Sequence, residues 1–308
     1  MNASHPDIVV RHIKTKNKIR KITTYRSDNC DLRIRHEKIN DFIKSRFIPS
    51  TFSKGYVKGQ SIYSNACAHM YNDYFIMTDI KDFFPHICHT QLSEKLYHEL
   101  NVLSENQISR KECYQLVEDC SISSRGLPLG FITSPILSNV YLKEFDCIFY
   151  GKLKQLDLEN VIYTRYADDI IVSFKCKSAN KPLPIESCIL ETAASLLNRY
   201  GLQLNKSKTR SYNLYVSNHV RVTGINITKS KSGYRHLTVG RSIKNALYWD
   251  ALNCYETKDK SEADRIKGLQ SFVLSVEKNG YEGCYSTAMM RKVQDLGFGS
   301  VKELIDSL

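Results

Sequence analysis

The chain of 308 residues predicts an α+β fold, and three observations carry that prediction. YFIMTD at 74–79 is a short apolar strand closed by an acid. YTRYADDIIVSF at 163–174 places two adjacent aspartates inside an apolar, β-branched run. From Arg241 onward the apolar residues recur with helical spacing only. Composition bounds the rest. Lys and Arg number 44 against 32 Asp and Glu, a formal charge of +12, which favours phosphate-rich partners or anionic surfaces. No apolar run approaches the roughly 18 residues that span a bilayer, and MNASHPDIVVRHIK lacks the pattern of a signal peptide, so a cytoplasmic protein with no membrane partner is expected. The ten cysteines include no C-x-x-C pair and read as reduced, mostly buried thiols.

Element by element, KTKNKIRKITTYR at 14–26 alternates as a β-ribbon with a basic face. A helix is predicted from Arg33 to Phe47, ending before Pro49. A polar loop with Gly55 and Gly59 follows, then SIYSNACAHM as a helix. After the 74–79 strand, residues 90–120 read as helices with polar breaks, and 123–135 as a loop punctuated by Gly and Pro. A long helix is predicted from about Ile136 to Leu153. The strands Val161–Thr164 and Ile170–Phe174 form a hairpin, and a helix covers 185–200. GLQLNKSKT at 201–209 leads to strands around VRVTGINIT and HLTVG. In the helical tail Trp249, Leu252, Phe272, Leu274 and Val276 are the predicted core positions.

Successive strand side chains face opposite sides of a sheet, so Asp168 and Asp169 belong on a turn if both are to serve one site. An isolated Asp pair is equally well explained as good turn chemistry. Asp79, however, also stands at a strand end. Three such acids suit hard divalent cations such as Mg²⁺, and a two-ion site activates a hydroxyl and stabilises the leaving oxygen in phosphoryl transfer, as a polymerase requires. The P-loop, H-E-x-x-H and G-x-G-x-x-G signatures are absent, which weakens NTPase, zinc protease and dinucleotide-enzyme readings.

The ordered motifs resemble those of reverse transcriptases, in particular the bacterial retron type. TDIKDFFPHI at 78–87, GLPLGFITSPILSNVYLKEFD at 126–146, YADD at 166–169 and GLQLNKSKT at 201–209 are similar to four successive palm motifs of that family. Asn65-Ala66-Cys67-Ala68-His69 and Val222-Thr223-Gly224 resemble the N-A-x-x-H and V-T-G boxes of the retron subgroup. The match runs from about residue 18 to 276. It implies a right-hand polymerase with fingers at 1–72 (88–124 inserted), a mixed α/β palm at 73–240 and a helical thumb at 241–308.

Carried over, the resemblance makes Asp79, Asp168 and Asp169 a catalytic triad holding two Mg²⁺ ions, or Mn²⁺, with the Ile80 carbonyl as a further ligand. Phe84 would exclude a ribose 2′-hydroxyl, and Asp82 would place its backbone near the incoming triphosphate. Arg20, Lys18 and Lys208 would meet phosphates, and Gly130 would let the backbone approach the nucleotide. Asn65 and His69 would support an RNA-binding surface, Tyr166 would lie near the growing strand, and Arg265, Lys267 and Lys278 would track a duplex. Each has a plainer alternative: a core aromatic for Phe84, a turn glycine for Gly130, a structural histidine for His69, a packed hairpin tyrosine for Tyr166, solvated charges for the rest. One departure stands out. Many relatives carry L-P-Q-G where this chain has Leu127-Pro128-Leu129-Gly130, so a glutamine contact to the nucleotide is lost. The implied partners are a cognate structured noncoding RNA serving as primer and template, the branched RNA–DNA product primed from an internal guanosine 2′-hydroxyl, and a separate effector in phage defence. An intron-type or abortive-infection reverse transcriptase, an RNA-directed RNA polymerase and a non-catalytic RNA-binding scaffold are the alternatives.

Overall fold

The computed structural model describes residues 6–15, 18–102, 104–177 and 182–308, with the side chains of Thr15, Lys18 and Arg20 outside that description. Contacts divide the chain into two compact units, residues 1–60 with 72–213, and residues 61–71 with 214–308.

The first unit begins with a two-stranded antiparallel ribbon, β1 (Ile8–Thr15) and β2 (Lys18–Tyr25). Helix α1 (Asp31–Arg46) follows; it buries Leu32, His36, Ile39 and Ile43, a stripe at helical spacing. Helix α2 (Ile62–Ala68) belongs to the second unit and opens on a reciprocal cap between Ser61 and Ser64. Strand β3 (Tyr74–Asp79) is flanked on both sides, which is why its sequence is almost continuously apolar. Then come α3 (Phe83–His86), α4 (His89–Asn101), α5 (Arg110–Asp119) and the long α6 (Ser134–Leu153), which starts with Pro135 in its first turn. Strands β4 (Ile162–Tyr166) and β5 (Asp169–Phe174) form the hairpin, α7 (Leu183–Asn198) follows, and β6 (Arg210–Asn213) closes an antiparallel sheet in the order β4-β5-β3-β6. One apolar core joins α1, α4, α6, α7 and this sheet, with Phe149 meeting Tyr163 edge-on at 5.0 Å. Strand β6 was not legible: RSYN lacks apolar alternation and becomes a strand by pairing with β3.

The second unit holds α2, the sheet β7 (His219–Val222), β8 (Ile225–Lys229) and β9 (Arg235–Thr238), and helices α8 (Arg241–Thr257), α9 (Ala263–Val276), α10 (Thr287–Asp295) and α11 (Val301–Asp306). Two predicted core positions are corrected. Trp249 is 54% exposed and Leu274 38% exposed. The buried stripes run through Leu247, Tyr248, Ala251 and Leu252 on α8, and through Ile266, Gln270, Val273 and Val276 on α9. Trp249 and Leu274 each stand about 100° round the helix from the buried residue just before them, at the edge of those faces. The cysteines are corrected too: all ten are free thiols, but only Cys113, Cys120 and Cys254 are buried.

Candidate active site

Register brings the acids together. Across β3 and β5, Asp79 lies opposite Asp169, and paired residues of an antiparallel ladder share one face. Tyr166 pairs with Asp169, so Ala167 and Asp168 form a two-residue hairpin loop. Of these two only Ala167 has a positive φ, 57°, a position that usually favours glycine. The Ile80 N–H donates to the Asp168 carbonyl at 3.0 Å. In extended backbone the N–H and C=O of one residue point the same way, so the Ile80 carbonyl also faces the Asp168–Asp169 turn.

Asp79 is 5% exposed, and its Oδ1 has no hydrogen-bond partner among the described residues. Its Oδ2 accepts from Lys208 Nζ at 2.7 Å and Asn205 Nδ2 at 3.5 Å. An orphaned buried carboxylate oxygen beside two further carboxylates is an unbalanced negative site. Asp169 responds to it: crowding by protein atoms, then repulsion from Asp168 and Asp79, push its pKa up to about 6 against the opposing Lys208 ammonium. Asp169 is exposed on its outer side, so the repulsion acts on a carboxyl that solvent and ions still reach. An all-oxygen donor set with a spare buried lone pair fits a hard divalent cation. Among the described residues no group of three acid, His or Cys side chains is close enough together to hold a metal ion by itself.

The remaining predicted residues divide by placement. Lys208 sits on Asp79, which holds its ammonium above the ordinary value. Phe83 and Phe84 are both buried, at 2% and 8%, with ring centroids 5.3 Å apart. The Phe84 carbonyl accepts from the Leu127 N–H at 2.9 Å, tying α3 to the GLPLG loop. Asp82 caps α3 in a left-handed conformation, φ 45°, with its carbonyl bonded to His86 Nδ1. Gly130, φ 112°, owes its identity to β2: an added Cβ would stand 2.5 Å from the Thr23 carbonyl oxygen. Leu129 bonds the same strand through its carbonyl and leaves its side chain partly exposed. Lys18 and Arg20 lie on this strand β2, but their side chains are outside the described residues.

In the second unit Asn65 and His69 are both fully buried. Asn65 Nδ2 donates to Thr223 Oγ1 at 3.2 Å, so the two short boxes meet each other. Thr223 and Gly224 both have positive φ, 44° and 93°, and the asparagine braces that turn from below. Arg265 is paired with Glu262 and Asp250, whereas Lys267 is half-buried and Lys278 lies 4.9 Å over the Tyr63 ring.

Sequence reasoning missed the segment that presses on the hairpin. Residues 52–54 bond to Arg165 by Arg165 N–H to Phe52 O, 2.9 Å, and Lys54 N–H to Arg165 O, 2.7 Å. A Cβ on Gly55 would stand 2.6 Å from Ala167 N. Tyr56 lies 6.5 Å from the Tyr166 ring, and its phenol pKa is raised by burial and by Asp168. The available signal was Arg165 itself, a charge in the middle of an apolar strand. Beside Tyr56 a cleft of about 650 Å³ is lined by Phe47, Lys44, Lys58, Ile132 and Asn139.

Residues 13–239 match the family described as reverse transcriptase (RNA-dependent DNA polymerase). The Retron Ec73 reverse transcriptase of Escherichia coli is 32% identical over 231 residues, 73% of this chain and 70% of that protein. The Retron Ec86 reverse transcriptase of the same species is 28% identical over 246 residues, 78% of this chain and 67% of that protein. Among solved structures, apo telomerase from Candida tropicalis is similar in fold with a TM-score of 0.52 at 11% identity, over 97% of this chain and 62% of that one. A form of the same apo telomerase truncated from its C-terminal domain gives a TM-score of 0.50 at 14% identity, over 71% of this chain and 52% of that one. With a right-hand polymerase fold and acids opposed across β3 and β5, the chain belongs to the bacterial retron-type reverse transcriptases and is an RNA-directed DNA polymerase.

Proposed function

We propose that the chain reverse transcribes part of a cognate structured noncoding RNA, which is both primer and template, into branched RNA-linked single-stranded DNA within a phage-defence system with a separate effector. The observation that carries the catalytic part is the opposition of Asp79 and Asp169 beside Asp168, with one buried Asp79 oxygen that has no hydrogen-bond partner among the described residues. The retron part rests on the likeness to the two Escherichia coli enzymes and on the buried contact between Asn65 and Thr223.

Asp79, Asp168, Asp169 and the Ile80 carbonyl would hold two Mg²⁺ ions, with Mn²⁺ as a substitute. When bound, these would activate the attacking hydroxyl and neutralise charge at the leaving oxygens. The chain's own groups do the positioning. The β3–β5 register fixes two carboxylates on one face, and Phe84 backs the nucleotide ribose. Lys208 pairs with Asp79, and in this reading its exposed ammonium would meet the departing pyrophosphate. We assign the template strand to the cleft beside Tyr56, where Lys44 and Lys58 supply countercharge. Residues 1–72 with 88–124 serve as fingers, 73–240 as palm and 241–308 as thumb in this reading. Asn65 and His69 act from beneath an RNA-binding surface, since neither reaches it.

The test is expression in bacteria with the flanking DNA, followed by a search for a small DNA carrying an RNase-resistant RNA stub. The branched species should form with the native chain and vanish in D168N and D169N. DNA that survives both substitutions would remove the acids from the chemistry, and unbranched DNA would remove the retron reading.

A further inference from the structure

Behind the hairpin lies a closed polar network that the chemistry above does not use. Arg165 and Asp146 are both fully buried. The guanidinium spends two of its N–H groups on the carboxylate, Nε to Oδ1 at 2.8 Å and Nη2 to Oδ2 at 2.8 Å. Tyr163 Oη donates to the same Asp146 Oδ1 at 2.7 Å. The remaining arm, Nη1, donates to the Ala167 carbonyl at 3.0 Å and to Asn139 Oδ1 at 3.2 Å. Asn139 in turn sends Nδ2 to the Gly55 carbonyl at 2.9 Å and accepts from Ser53 Oγ at 2.9 Å. Every member comes from the first unit.

A buried ion pair is an expensive way to obtain stability, because well-packed apolar side chains of similar size often do as well or better. What such side chains lack is direction. The two bonds that leave this network end on the carbonyl of Ala167, held in a left-handed conformation, and on the carbonyl of Gly55, whose backbone abuts Ala167 N. The Ala167 carbonyl is thus tied to the guanidinium directly, and the Gly55 segment packed against Ala167 N is tied to it through Asn139. Lysine could keep the charge but not the three fixed directions.

We propose that Arg165, oriented by Asp146 and keyed by Asn139, is the positioning device of the active site, holding the Ala167–Asp168 loop so that Asp168 and Asp169 stand in register with Asp79. This rests on the reverse transcriptase reading for its effect on turnover, though not for its effect on the loop.

The test uses the full chain carrying the paired replacement R165M/D146L together with Y163F, which removes both charges at once along with the phenol that would otherwise lose its Asp146 acceptor. Four quantities are compared with the parent: melting temperature, affinity for a primed RNA template, hydrogen exchange of the 161–174 peptide, and single-nucleotide addition at saturating deoxynucleotide. The melting temperature and template affinity should stay at parental values. Exchange in the loop should accelerate about tenfold, and kcat should fall about 10- to 100-fold while KM for the nucleotide moves little. Parental exchange together with parental kcat would overturn the proposal, as would a loss of activity that merely follows the folded fraction. If this variant fails to fold, N139A decides, since it cuts the link to Gly55 and leaves the ion pair whole: the same selective fall in kcat supports the device, and unchanged kcat sinks it. A parent chain that extends no primed RNA would defeat the polymerase reading, and the exchange comparison would still decide whether the network holds the loop.

Discussion

Asp169 ties protonation to stability and chemistry at one atom. A carboxyl whose folded pKa is raised binds its proton more tightly folded than unfolded. The stability contributed by this group therefore declines as pH climbs from its ordinary 3.8 to about 6 and is level above that. Solvent exposure of Asp169 keeps the effect modest. In chelator, melting temperature measured from pH 4 to 7 should fall less in D169N than in the parent, while polymerisation by D169N drops at least about 100-fold. Equal pH dependence in both proteins would show that burial and the neighbouring acids do not raise the Asp169 carboxyl. Phe84 makes a second prediction at this scale. Replacing it with valine should raise ribonucleotide incorporation relative to deoxynucleotide by about 10-fold or more, read from competing primer extensions. No gain would return Phe84 to the core it shares with Phe83.

At the scale of elements, glycines mark where two segments touch. Gly55 meets the hairpin backbone at a distance no Cβ tolerates, and the nearest atoms, of Ala167 and Tyr166, are all backbone. G55A should therefore cost about 1–3 kcal/mol in denaturant unfolding and depress turnover beyond that loss of stability. In the second unit, N65A leaves the Thr223 hydroxyl without its donor beneath a turn with positive φ. It should destabilise the chain by about 1–3 kcal/mol and weaken binding of the cognate RNA, while extension of a generic primed template persists. Loss of both activities in equal measure would make the contact purely structural. The helices teach the same lesson from the other side: α9 carries apolar residues at 273 and 274, and only packing decides that Val273 enters the core.

At the scale of the whole chain, +12 of net charge makes nucleic-acid affinity a function of salt. If six or more phosphates are contacted, affinity should fall by about 10³ between 50 and 200 mM salt. Filter binding across that range measures the slope. R265A should leave it nearly unchanged, because Arg265 is already paired with Glu262 and Asp250. Among the described residues no helix is long and apolar enough to cross a membrane. The division into two units was not legible. The segment 61–71 groups with residues more than 140 positions away, through α2 and the β7–β8 strands, and periodicity holds no information about such pairings.

The sequence by itself determined the α+β class, most strands and helices, the hairpin with its two acids, and the order of motifs that marks a retron-type reverse transcriptase. These depend on local spacing: alternation in strands, a 3.6-residue period in helices, and an acidic turn between β-branched runs, although the turn proved shorter than expected, with Asp169 opening β5 rather than lying on the loop. Only the tertiary structure decided that Asp79 faces Asp169, that Gly130 serves β2, that Asn65 bonds Thr223, and that Arg165 turns inward to bond the Ala167 carbonyl. Each of those joins residues distant along the chain, and their distances follow from sheet register and close packing, which a linear pattern of residue types does not encode.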